Sequence, residues 1–404
     1  MNKPELLAPA GSLEKLKIAL HYGADAVYVG LSEFSLRAKA DNFTLNELEL
    51  AFSYVKAAGK KVYVTINIFP HNYDLSLISE HIAFLNYLKP DAVIVSDLGV
   101  FDMLVNVIGS QLPVHISTQA NITNYRTAMF WQRQGAKRLI LSRELTIGEI
   151  KQIRDNVSIE LECFVHGAIC ISYSGRCYIS SFLTNRSANK GQCTNSCRWN
   201  YTLMEEKRPN EYFPVYENDR GTYVMSSKDL CMLGYLDKLF DAGVDSFKIE
   251  GRMKGINYIA GVVKTYREAI DSLSSNTTYN VKDEWLKELA MFSSRGFTTG
   301  MFLGRQEDKD FNHDEVNMYK KTHALIGIVC DVKHGKAQVL LRNNLKSGDR
   351  VEYLSNGYNS GFVNITSIED LENNIVDCAR NEKIVWISAH EGVKVNDIVR
   401  KKLL

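Results

Sequence analysis

Five of the eight cysteines in this 404-residue chain crowd into one stretch: Cys170, Cys177, Cys193, Cys197 and Cys231. The first four are spaced C-x₆-C, fifteen residues, then C-x₃-C. Four thiolates delivered by one loop can hold a tetrahedral Zn²⁺ or a [4Fe–4S] cluster. Spacings of six and three residues fit the two-residue zinc knuckle poorly and suit a bulkier cluster better. Cys231 is a doubtful fifth ligand. In a reducing compartment such a cluster reads as metal-binding or redox chemistry rather than as disulfides. Cys163, Cys330 and Cys378 sit in apolar, strand-like surroundings and read as small buried hydrophobes.

The elements that must position these thiols follow a repeated pattern of a short apolar run, a polar turn and an amphipathic helix. Strands are expected at 5–8, 26–29, 61–68, 92–95, 114–117, 138–141, 159–164 and 246–249. Most are β-branched runs of the kind buried on both faces of a parallel sheet. Helix-period segments lie between them, for example at 13–22, 45–58 and 75–88. Returns such as Gly23-Ala24-Asp25-Ala26 place a glycine where a helix ends and the next strand begins. Eight such units predict an α/β fold, a TIM-like (β/α)₈ barrel, over residues 1–310, with an open doubly wound sheet as the alternative.

The pattern breaks over about 167–225, a cysteine-rich insertion between the seventh and eighth strands. That is the barrel end where such folds keep their chemistry, and a loop of this length needs something to staple it. A further helix is expected at 281–293. Residues 320–404 alternate short strands with glycine turns and predict a small all-β barrel or sandwich. This tail carries 13 Lys+Arg against 10 Asp+Glu, too even for a nucleic-acid patch by itself. The whole chain has a formal net charge of +1, which excludes a uniformly basic nucleic-acid coat. It has no apolar run long enough for a membrane span, and no secretion signal at Met1–Glu5, so a cytoplasmic location is expected.

The run Glu162, Phe164, Gly167, Ala168, Cys170, Gly175, Cys177, Ser180 resembles the signature of the collagenase-like peptidase family, peptidase family U-32, at every fixed position. Asn185-Arg186, Gly191-x-Cys193, Cys197-Arg198-Trp199 and Ser227-Lys228-Asp229-Leu230 are similar to it as well. So are Phe247-Lys248-Ile249-Glu250-Gly251-Arg252, Leu7-Ala8-Pro9-Ala10-Gly11 and Gly23 to Tyr28. The resemblance therefore covers essentially the whole chain. The family's name implies proteolysis, but no H-E-x-x-H helix, Gly-x-Ser-x-Gly elbow or local Cys–His couple supports it. The resemblance is greatest to members that act as oxygen-independent hydroxylases carrying a [4Fe–4S] cluster, whose substrates include ubiquinone precursors, ribosomal RNA and tRNA. The tRNA group, with barrel and β-tail, implies 5-hydroxyuridine formation at the wobble position with prephenate as hydroxyl donor. A peptidase remains the alternative, and assembly with itself or with a paralogue is a further expectation.

That resemblance implies Cys170, Cys177, Cys193 and Cys197 as cluster ligands. Residues just past strand ends face a barrel's mouth, here Asn67, Asp97, Gln119, Arg143, Glu144, Glu162, His166, Glu250 and Arg252. A dicarboxylate such as prephenate calls for forked cations, for which Arg143, Arg176, Arg198 and Arg252 are candidates unless each pairs with a local acid, as Arg143 with Glu144. Glu162, His166, Arg143 and Arg252 are the catalytic candidates. His166 is either a proton shuttle or a hydrogen-bonded support. Arg176, Arg198, Asn67, Gln119 and Glu250 are the substrate-binding candidates. Tyr173, Tyr178 and Trp199 either stack on a base or fill the insertion's core.

Overall fold

The computed structural model describes residues 3–30, 43–107, 109, 111–170, 172–198, 216–218, 221–223, 228–273, 278–292, 296–304, 322–356 and 360–403. The β-branched runs form parallel strands β1 (Glu5–Pro9), β2 (Ala26–Gly30), β3 (Lys61–Ile66), β4 (Ala92–Val95), β5 (Val114–Ile116), β6 (Arg138–Ile140), β7 (Glu160–Ala168) and β8 (Ser246–Ile249). Each pairs with the next in order. Ser246 of β8 stands in register with both Glu5 of β1 and Glu162 of β7, so the sheet closes as a barrel. Every residue of β2 and β4 is buried, as strands covered on both faces require.

Local sequence signals start the surrounding helices. Ser12 accepts from Lys15 N at the start of α1 (Leu13–His21). Thr44 and Glu47 form a capping box on α2 (Leu45–Ala57). The turn after α1 needs a glycine twice over. Gly23 has φ +102°, and a Cβ there would meet the stem of Arg267 at 2.5 Å.

Several element ends differ from expectation by a residue or more, and one of them moves the site. Strand β7 runs four residues further than its apolar pattern, to Ala168, because a short strand, Asp229–Cys231, pairs antiparallel with its end (Asp229↔Ala168, Cys231↔His166). The insertion thus begins inside the sheet. It continues as a short helix, Ile179–Thr184, and the turns Ala188–Lys190 and Ser196–Arg198. The tail is an antiparallel all-β domain with an eight-stranded ladder and its own core, including Val339, Tyr353 and Ile387. Among the described residues the two edge strands of that ladder do not pair with each other.

Cys330 and Cys378 are exposed, against the expectation of burial; only Cys163 of the three is buried. Cys330 falls where the ladder between His323–Lys333 and Lys336–Leu341 shifts register, which breaks the inward–outward alternation.

Tail and barrel share a buried seam. Ile328, Leu354 and Ile398 of the tail belong to the barrel's core. Tyr22, the residue that ends α1, donates its hydroxyl hydrogen to Leu354 O and accepts from Ile398 N at 3.0 Å. Arg400 bridges Glu352 in the tail at 2.8 Å and Glu288 on the barrel's last helix, Asp283–Ala290, at 2.6 Å. No helix among the described residues is long and apolar enough to cross a membrane.

Candidate active site at the barrel mouth

Two adjoining cavities occupy the C-terminal ends of the strands. The first, of about 70 Å³, is lined by Asn67, Gln119, Arg143, Glu250 and Arg252, all expected from the sequence, and also by Tyr28, Thr65, Phe164 and Lys248. The second, of about 130 Å³, is lined by Cys170, Cys177, Cys193 and Cys197 together. Thr118, Gln119 and Arg143 line both, so they form the shared wall.

The insertion is pressed against that wall. Gly175 has φ +74°, and a Cβ there would lie 2.1 Å from the backbone oxygen of Gln119, so only glycine lets the cysteine loop approach this closely. Glu144 does not pair with Arg143. It accepts from Ser174 N at 2.7 Å and from Ser174 Oγ at 3.1 Å, tying the loop to the end of β6. Arg143 is thereby released to stack on Phe164, 4.3 Å from the ring centroid, and to donate to Ala168 O at 3.3 Å.

The thiols share one cavity without three of them converging on a point. Among the described residues no three His, Cys, Asp or Glu side chains are grouped to hold a single metal ion. The four thiols line a common space, the arrangement that a group bound by all four together would need. A hydrogen bond from Cys170 lowers the pKa of Cys177, helped against burial by Ser172 and the backbone N–H groups of Ser180 and Ile179. That bond in turn raises the pKa of Cys170. Cys177 is therefore, of these two thiols, the one that more readily becomes a thiolate. Cys231 lies elsewhere, in the barrel wall with its Sγ 3.8 Å from Tyr266 Oη.

Lys248 is the residue that sequence reasoning missed. It is 4% exposed, with Nζ 2.9 Å from Glu162 Oε1 and 4.6 Å from the centre of the Tyr28 ring. The signal lay in period two along the strand-eight motif, where Lys248, Glu250 and Arg252 alternate onto the mouth side. Burial pulls the Lys248 pKa down, and Glu162 opposes the fall.

Two expected catalytic residues do not reach the mouth. Because β7 continues to Ala168, Glu162 sits well before the strand's end, fully buried, between Lys248 and Arg138 Nη1 at 2.9 Å on each side. Burial works against its charge, but Lys248 and Arg138 outweigh it and hold its pKa below the usual carboxylate range. Arg138 continues the chain to Glu5 at 2.6 Å near the bottom of the barrel. Glu162 is thus a support for Lys248. His166 is 2% exposed, lines neither cavity, and sits among Tyr258, Tyr266 and Phe297, with Nδ1 3.3 Å from Tyr266 Oη. Burial lowers its pKa to about 4, so it serves as a neutral, hydrogen-bonded support rather than a proton shuttle.

Arg252, 2% exposed, donates from Nη1 to Thr65 Oγ1 at 3.2 Å within the first cavity. Asp97 caps the helix Leu98–Asp102 through Val100 N at 3.0 Å. Arg176 is exposed and lines neither cavity. The Arg198 side chain and Trp199 lie outside the described residues.

Comparison with known proteins matches the profile of Peptidase family U32 to residues 11–312 and that of the Peptidase family U32 C-terminal domain to residues 321–400. The chain is 38% identical over 404 residues to tRNA hydroxylation protein P1 of Bacillus subtilis, covering 99% of this chain and 95% of that protein. It is 35% identical over 439 residues to tRNA hydroxylation protein P of Escherichia coli, covering 98% and 96%. It is also 36% identical over 320 residues to a collagenase of Porphyromonas gingivalis, covering 76% and 75%.

Proposed function

The chain belongs to peptidase family U32, and from that premise we propose that it is an enzyme of tRNA hydroxylation, forming 5-hydroxyuridine at the wobble position without oxygen. The observation that carries this reading is the shared wall: a four-cysteine cavity and a cation-lined cavity meet at Thr118, Gln119 and Arg143. The names of the Bacillus and Escherichia relatives support tRNA as the substrate.

Cys170, Cys177, Cys193 and Cys197 would hold a [4Fe–4S] cluster, which when bound supplies electron transfer beside the mouth. The chain's own residues do the rest. Arg143, Lys248 and Arg252 form a cationic lining for a small dicarboxylate, with prephenate as the proposed hydroxyl donor. Asn67 and Gln119 offer hydrogen bonds that orient it, and Glu250 is the one carboxylate in the same lining. Glu162 opposes the loss of charge that burial imposes on Lys248 and fixes it in direction. The buried rings of Tyr28 and Phe164 belong to the same lining, and apolar surroundings strengthen each of these contacts.

The test is nucleoside mass spectrometry of tRNA from a deletion strain lacking any paralogue. Loss of 5-hydroxyuridine-type nucleosides is expected, and unchanged levels overturn the reading. The Porphyromonas relative favours a second reading, a peptidase. Against it, the Cys231 and His166 side chains, which meet at Tyr266, line neither cavity, and the His166 imidazole is buried. Gelatin hydrolysis that survives substitution of Cys170 and Cys177 would favour the peptidase.

A further inference from the structure

Around the cysteine cavity the chain leaves large rings in water. Tyr73 is 73% exposed, Tyr173 61%, and Tyr178 and Phe182 72% each. These belong to two elements of the same end of the barrel. Tyr73 sits in the turn Asn72–Asp74 that follows β3. The other three ride on the insertion, where Tyr173 itself lines the cysteine cavity. Lys190 of the insertion joins the two, its Nζ 4.3 Å from the centre of the Tyr73 ring and 2.9 Å from Asp74. Tyr178 and Phe182 stand side by side with centroids 6.3 Å apart and planes inclined by 39°. Burying such a ring is worth several kcal/mol at roughly 25 cal/mol per Å². Exposed rings occur elsewhere too, Tyr87 at 72% and Phe362 at 57%, but these four are grouped beside the cysteine cavity, and a group of open rings at a site calls for an occupant.

Chemistry selects that occupant. A protein partner or a second copy is met by a contiguous apolar patch with charge kept to its rim. Here charge interrupts the rings: Arg176 is exposed between Tyr173 and Tyr178 in the chain, while Lys190, paired with Asp74, lies over one face of Tyr73. Aromatic faces take the flat sides of unpaired bases, and the cations between them take phosphates. We infer that Tyr73, Tyr173, Tyr178 and Phe182, with Arg176, form a stacking platform that holds unpaired nucleotides of an RNA at the barrel mouth. This rests on the reading of RNA as substrate and assigns the residues that grip it. Stacking supplies affinity that salt does not weaken, whereas Arg176 supplies the part that it does.

The experiment is a titration of full-length protein, purified without oxygen, with labelled tRNA at two or more salt concentrations. Stacking is worth about 1–3 kcal/mol per base, so Tyr178→Ala and Phe182→Ala are each expected to weaken binding roughly 5- to 150-fold. The slope of affinity against salt stays as in wild type, and Tyr178→Phe binds like wild type. Arg176→Ala instead lowers the salt slope by about 0.7–0.9. At their exposure the two ring substitutions leave the fold intact, which an unchanged melting curve checks. If wild type binds tRNA and both alanine variants bind it equally well, the platform is refuted and the substrate reading stands. If wild type does not bind tRNA, both fall. A wild-type dimer that Tyr178→Ala dissociates reassigns the rings to an interface between copies.

Discussion

Replacing Glu162 by Gln should be among the most damaging single changes in the barrel that leave its shape untouched. Inside the barrel, charges alternate in a chain: Glu5 to Arg138 at 2.6 Å, Arg138 to Glu162 at 2.9 Å, and Glu162 to Lys248 at 2.9 Å. In Glu162→Gln, Arg138 keeps Glu5 and also Glu160 at 2.7 Å. Lys248, 4% exposed, loses the carboxylate that opposes its burial. Breaking a buried pair from one side costs about 3–5 kcal/mol. Lys248→Met leaves Glu162 with Arg138 and should cost less. The double variant should cost less than the two singles together, by about 2 kcal/mol, because the charge left unpaired in the first is gone. The assay is urea unfolding of the four proteins. Free energies that add to within about 0.5 kcal/mol would show that the two groups are not coupled and refute the support role given to Glu162. The sign with pH follows. With Glu162 gone, burial lowers the Lys248 pKa further, so the unfolded chain binds the extra proton and the variant's stability is lost progressively as pH falls.

Three other outcomes are expected. Cys193→Ala or Cys197→Ala, purified without oxygen, should lose iron while Cys231→Ala keeps it; full iron in either of the first two would bring Cys231 or a non-cysteine ligand into the set. His166, at about 4 in the fold against 6.5 in the unfolded chain, takes up its proton only on unfolding in between. Its contribution is therefore complete above about pH 6.5 and is lost as pH falls toward 4, by about 3 kcal/mol, and His166→Gln should flatten the stability curve over that interval. Deleting residues from 320 onward, which the tail's own strand pattern makes attractive, should lower the barrel's melting temperature and leave it prone to aggregate. It bares Tyr22 and leaves Glu288 without Arg400; a truncated barrel melting with the full chain would deny the seam any role.

The barrel was legible because runs such as Ala92–Val95 are apolar throughout, and strands covered on both faces leave that mark. That Cys170, Cys177, Cys193 and Cys197 lie around one cavity was foreshadowed by their spacing, since they come from one insertion. The end of β7 was not. His166, Gly167 and Ala168 carry no apolar pattern, and their strand is made by a partner, Asp229–Cys231, some sixty residues on. That one misplaced boundary put Glu162 and His166 at the mouth. Lys248 was passed over because lysine reads as surface, although it shares its parity with Glu250 and Arg252. The exposure of Cys330 depends on a register shift that no single strand encodes.

The seam between tail and barrel has a consequence for how the protein is made. Tyr22, at the end of the first helix, is covered by Leu354 and Ile398, and its bond with Ile398 spans 376 positions of the chain. At about 5–20 residues per second, that helix waits roughly 20–75 s on the ribosome before its cover has been synthesised. Through that interval the nascent barrel shows the apolar face that Leu354 and Ile398 will later close. The first helix and the strand Ile398–Lys402 thus finish together, and the seam closes only after that strand has left the exit tunnel.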